Sequence, residues 1–169
     1  MQTAFENQKI ELDEGVDIGY SVEKITLRLS DETSLSLPRR GVTTLLMSAP
    51  ILDGALLTQL AELDIEFCDK SVEDFEAIFV LSEGQELPSG FKFLKFATDK
   101  DCEYSDEFGT KIHSGRLNGK LAKALFVISR DYVLFHKEIC TNIEDKFSID
   151  RLYFQLGKAL NVYNGAGCH

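Results

Sequence analysis

The chain has 169 residues with 44% hydrophobic and 27% charged content, enough to build a substantial core in one domain spanning residues 1–169. Its formal net charge of −10 argues against nucleic acid or an anionic membrane as the main partner, because both demand a basic surface. No apolar run approaches the roughly 20 residues of a membrane span, and the N-terminal residues lack a signal-like apolar stretch, so a cytoplasmic location is expected.

Thr3–Phe5 and Lys9–Leu12 flank a polar turn and read as a small N-terminal hairpin within residues 1–14. Glu14 to Ser21 reads as a connecting loop. Ile25–Leu29 alternates apolar and polar residues, as a half-buried strand does. Asp31–Ser34 is a turn, and Leu35–Leu37 a short extended piece stopped by Pro38. Val42–Met47 is apolar or β-branched throughout, which suits a central strand covered on both faces. Ala55–Leu63 carries leucines at helical spacing, and Ile65–Asp69 reads as short and irregular. Phe75–Leu81 is a second central strand. Gly84–Gly90 is too rich in turn formers for a helix. Phe91–Phe96 reads as a strand, and Asp101–Gly109 as a short helix stopped at Gly109. Lys111–Lys120 is a loop. Ala124–Ser129 and Tyr132–Ile139 are strands joined by a tight hairpin at Arg130-Asp131. Ser148 caps a final amphipathic helix to about Tyr163, with Ile149, Leu152, Tyr153, Leu156 and Leu160 on its apolar face. Residues 164–169 form a flexible tail.

This order is economical as one central mixed sheet flanked by helices. The strand–helix–strand crossover from Val42 to Leu81 makes those strands parallel neighbours. That is a thioredoxin-like α/β arrangement. The stretch Gly41 to Leu57 is its chemical centre of gravity, since a strand running into a helix start leaves backbone N–H groups unpaired and favours an anion or a thiolate. Here the first helical turn offers only Gly54, Ala55, Leu56 and Leu57.

The four cysteines, Cys68, Cys102, Cys140 and Cys168, show no C-x-x-C spacing and read as free thiols in a reducing compartment. Asp101 and Glu103 flank Cys102 and oppose a thiolate there. Cys140 packs as a small hydrophobe at a strand end. Cys168-His169 does not complete a tetrahedral metal site. His113 and His136 lack a sequence-near ligand partner, so structural roles are favoured. No nucleotide-binding motif is present, and neither a cofactor nor a metal is expected.

The chain resembles the thiol peroxidases of the peroxiredoxin family, of the atypical two-cysteine kind. The family's Phe-Gly-x-x-Tyr-Gly resembles Tyr104-Ser-Asp-Glu-Phe-Gly109. Its Gly-x-Leu-x-Gly-x-Leu-Ala-Arg resembles Gly115-Arg-Leu-Asn-Gly-Lys-Leu-Ala-Lys123. Pro50-Ile-Leu-Asp-Gly-Ala-Leu-Leu57 resembles the active-site loop that begins with proline and ends on the peroxidatic cysteine. The resemblance covers most of the chain and implies a thioredoxin-like fold with a peroxiredoxin-type mixed sheet and an N-terminal hairpin.

It also implies specific losses. Leu57 falls where the peroxidatic cysteine stands, Gly54 where many members carry a threonine, and Lys123 where an arginine holds thiolate and peroxide. The helix that bears the resolving cysteine is missing, leaving Glu83–Gly90. Peroxide reduction needs a thiolate and a positive partner. Leucine supplies no nucleophile, and lysine lacks the bidentate fork of arginine. The expected function is a binding or regulatory module degenerate in peroxidase chemistry around Pro50, Gly54, Leu57 and Lys123. The alternative is a redox enzyme using another cysteine such as Cys68. The family's pairing surfaces imply a homodimer through Leu52, Leu56 and the loop carrying Leu117.

Overall fold

A computed structural model describes residues 1–70 and 73–161. β1 (Gln2–Phe5) and β2 (Gln8–Glu11) form a separate antiparallel hairpin. The remaining strands are β3 (Ile25–Leu29), β4 (Ser34–Leu37), β5 (Thr43–Ser48), β6 (Phe75–Ser82), β7 (Lys95–Asp99), β8 (Ala124–Ile128) and β9 (Leu134–Ile139). They make one mixed sheet in the order β4-β3-β7-β6-β5-β8-β9. β5, β6 and β7 run parallel in the middle, and antiparallel pairs close each side.

β5 is buried at every position because both faces of the sheet are covered. Its alternate side chains go to opposite sides, as the strand period of two requires. Leu45 and Met47 join the core under α1 (Gly54–Lys70) and α3 (Ile149–Asn161), together with Leu60, Leu63, Leu152 and Leu156. Leu46 joins the opposite core, against Tyr104 and Phe108 of α2 (Glu103–Phe108). Gly109 ends α2 with φ +67°, the left-handed stop expected of it. A Cβ there would also lie 2.4 Å from the Asp13 carbonyl oxygen, so the N-terminal chain fits only over a glycine.

Two expectations are corrected. Ile65–Asp69 is not irregular, because α1 continues to Lys70. Phe67 stands on the same face as Leu60 and Leu63, with its ring 5.1 Å from that of Phe75 and 5.6 Å from that of Phe93. Nor is Phe91–Phe96 a strand throughout, since β7 starts only at Lys95. The Asp64 carboxylate, on the inner side of α1, accepts the N–H groups of Lys92, Phe93 and Leu94 at 3.0, 2.8 and 2.8 Å. Those amides cannot also serve a sheet ladder. Burial acts to raise the Asp64 pKa, but the three N–H donors and Lys92 outweigh it and hold the carboxyl below its ordinary range. Asp64 thus anchors the helix-free connection between β6 and β7. The final helix is described to Asn161, and the tail with Cys168 and His169 lies outside the described residues.

Candidate functional site

The chain leaves β5 at Ser48 and passes through buried Ala49 and Pro50 into α1. Asp53 caps the helix: its Oδ1 accepts the Leu56 N–H at 2.8 Å, and its carbonyl oxygen accepts the Leu57 N–H at 3.0 Å. The helix start therefore carries its own carboxylate where an external anion would otherwise satisfy it. Leu57 is half-buried in the first turn. Gly54 is exposed, and a Cβ there would meet nothing within 4 Å, so space does not demand glycine.

Lys123 is only 6% exposed, at the start of the strand pairing with β5. Its ammonium donates to the carbonyl oxygens of Ile143, at 3.5 Å, and Asp145, and lies 5.1 Å from the centre of the Phe147 ring. Burial lowers its pKa, opposed by the negative potentials of Cys140, Asp53 and Asp145. The Lys123 charge is committed to the loop between β9 and α3. Next to it, Ser48 Oγ donates to the Ala122 carbonyl oxygen at 2.8 Å and accepts the Tyr104 hydroxyl at 2.9 Å. Complete burial drives the Tyr104 pKa far upward, so this phenol is a hydrogen-bond donor and not a base.

The other named residues disperse. Cys68 is half-buried on α1, eleven residues past Leu57 and so about 16 Å along the helix axis. It lines a hollow of about 400 Å³ with Ile65, Phe91 and Lys92. Cys140 is buried, and desolvation pushes its thiol up to about 11. His113 Nε2 meets Asp13 at 2.7 Å on the surface. His136 Nε2 lies 3.6 Å from the Glu138 carboxylate, a neighbour that the strand period supplies and that the search for ligand spacing missed. Leu56 and Leu117 are each 4% exposed, so within one chain they are core residues. Leu52 is half-buried and packs against the core under α1, while its neighbour Ile51 is 45% exposed.

Sequence reasoning also missed Asp64 and Lys111. Asp64 was legible as a carboxylate placed among Leu60, Leu63 and Phe67 on the inward helix face. Lys111 carried no local signal, because its partner Cys102 is nine residues away across α2.

The sheet order and helix placement define a peroxiredoxin-type thioredoxin-like protein. Structural comparison agrees: a peroxiredoxin-like protein from Aquifex aeolicus matches with a TM-score of 0.83 at 15% identity, covering 94% of this chain and 96% of that one. A thiol peroxidase from Chromobacterium violaceum matches with a TM-score of 0.75 at 14% identity, over 93% and 95%. The mitochondrial 2-Cys peroxiredoxin from Plasmodium falciparum matches with a TM-score of 0.64 at 10% identity, over 89% and 96%. In sequence, the chain is 27% identical over 164 residues to a thiol peroxidase from Campylobacter jejuni, covering 91% of this chain and 90% of that protein. No family model matches. The chain is thus similar in sequence to a thiol peroxidase and shares the peroxiredoxin-type fold. Among the described residues no helix is long and apolar enough to cross a membrane.

Proposed function

We propose that this thiol peroxidase homologue no longer reduces peroxide at the start of α1 and acts as a binding or regulatory module. One observation carries the reading. Leu57 stands in the first turn of α1 while Lys123, the cation of that region, is held by the Ile143 and Asp145 carbonyl oxygens. A leucine cannot form a sulfenic acid, and an ammonium tied to two carbonyls is not free to hold a peroxide. Exposed Ile51, beside half-buried Leu52, suits a contact with a second copy across a twofold axis.

A second reading, enzymatic thiol chemistry at Cys68, is favoured by the hollow that this side chain lines. Steady-state assays with hydrogen peroxide and an organic hydroperoxide, with thioredoxin as reductant, separate the two. The expected result is no turnover above the protein-free rate. Robust turnover abolished by Cys68→Ser overturns the first reading and establishes the second.

A further inference from the structure

We propose that the outer face of α1 docks a basic protein segment with apolar anchor side chains, seated over Ile65 and held by Glu62, Glu66 and Asp69. This names a partner for the binding module proposed above and rests on that reading.

The sequence of α1 sets two stripes side by side. Ala61, Ile65 and Cys68 recur at spacings of four and three, so they follow one strip of helix surface. Glu62, Glu66 and Asp69 repeat those spacings one residue further on and run alongside. Leu60, Leu63 and Phe67 take the inward face. Ala61, Ile65 and the three carboxylates are left exposed, and Cys68 is half-buried. Ile65 is 62% exposed, the most exposed large aliphatic side chain among the described residues.

A single exposed isoleucine needs no explanation, but Ile65 borders two hollows. One, of about 400 Å³, has Ala61, Cys68 and Phe91 in its wall. The other, of about 350 Å³, has Leu63, Ile149 and Tyr153 in its wall. At roughly 30 Å³ of liquid volume per water, each holds about ten waters or more that apolar side chains of a partner can displace.

Charge selects the occupant. The charged side chains lining the two hollows are Glu62, Asp64, Glu66 and Asp69 against Lys92 alone. Asp64 is held by the amides of Lys92, Phe93 and Leu94, and Glu66 lies 3.5 Å from Lys70. Burial, reinforced by the negative potentials of Glu66 and Glu62, raises the Tyr153 pKa, so these carboxylates are felt across the second hollow. The same wall already takes a cation, since the Lys70 ammonium lies 4.3 Å from the centre of the Tyr153 ring. At this face a second copy of the chain, with its net charge of −10, is repelled. A basic segment is attracted, and its apolar side chains fill the hollows beside Ile65.

The test titrates the full-length protein into a fluorescein-labelled amphipathic peptide of leucine and lysine and follows anisotropy. A leucine–glutamate peptide of the same pattern is the control. The lysine peptide is expected to bind, more weakly as salt is raised, and the glutamate peptide is expected not to bind. Ile65→Ser is expected to weaken binding about tenfold. The combined variant Glu62→Gln, Glu66→Gln, Asp69→Asn is expected to weaken it by about tenfold as well. Removing three carboxylates from a separate surface, with Glu32→Gln, Glu83→Gln and Glu86→Gln together, should stay within about twofold. Circular dichroism checks that each variant folds. The proposal is overturned if the lysine peptide does not bind, if the glutamate peptide binds equally, or if Ile65→Ser binds like the unmodified protein. It is also overturned if both triple variants lose the same affinity, because net charge alone would then explain the attraction. A failed titration without peroxide turnover removes this surface and leaves the binding-module reading standing. Turnover abolished by Cys68→Ser removes that reading and this proposal with it.

Discussion

Two lysine–cysteine pairs sit in this chain, and they differ mainly in water. Lys123 and Cys140 meet where β8 and β9 begin and end, the Cys140 N–H donating to the Lys123 carbonyl oxygen at 2.9 Å. Both side chains are buried, at 6% and 8% exposure. Desolvation lowers the lysine and raises the thiol to about 11, and the attraction between them does not overcome it. Lys111 and Cys102 are half-exposed, with nitrogen 3.5 Å from sulfur. The same two residue types are buried in one place and open to solvent in the other.

The largest expected effect tests this division on the lysine side. Lys123→Ala removes the donor for two carbonyl oxygens and the ammonium that lies 5.1 Å from the centre of the Phe147 ring. A loss of about 3 kcal/mol is expected in denaturant unfolding. Lys111→Ala should stay within about 0.5 kcal/mol, as half-exposed side chains generally do. If the two variants lose equal stability, the distinction between the buried and the solvent-open lysine collapses.

Much of the fold was legible before the structure. The period of two in Ile25–Leu29, the continuous apolar runs of β5 and β6 and the leucine spacing in α1 are local patterns, and each formed as expected. The errors fell where a distant group decides. Nothing within Phe91–Leu94 announces that Asp64, about thirty residues earlier, takes its amides. The start of α1 was readable as a scaffold without a nucleophile, and its own Asp53 cap fits that reading. Cys102 was discounted because sequence shows Asp101 and Glu103 beside it. Only the folded chain turns Glu103 to Thr26 and brings Lys111 to the sulfur.

The thiol side of the comparison has a pH signature. The Cys140 pKa is raised from an ordinary 9.0 to about 11 by burial. The unfolded chain therefore releases this proton first, so the folded state binds more protons and stability falls as pH rises from 9 towards 11. Linkage sets the loss at roughly 2 kcal/mol across that window. Lys123, with its pKa lowered, contributes in the opposite direction over the interval below 10.5. Comparing the unmodified protein with Cys140→Ala cancels that lysine contribution to first order. The alanine variant should show the shallower alkaline decline, and parallel declines would mean that Cys140 is not the buried thiol described.

The smallest expected effect asks whether the start of α1 can be given back its nucleophile. Leu57 is half-buried, so its side chain gains only part of the roughly 2 kcal/mol of full enclosure. Leu57→Cys should cost about 1 kcal/mol. The new thiol would find Asp53 already bonded to the Leu56 N–H and Lys123 already bonded to two carbonyls. Neither group is placed to stabilise a thiolate or a breaking O–O bond. Peroxide turnover should therefore stay at the level of the unmodified protein in the thioredoxin-coupled assay. A Leu57→Cys variant that is equally stable and turns over peroxide would mean that the cation and the helix start remain available. The contrast between the two lysines would then fail at its structural end.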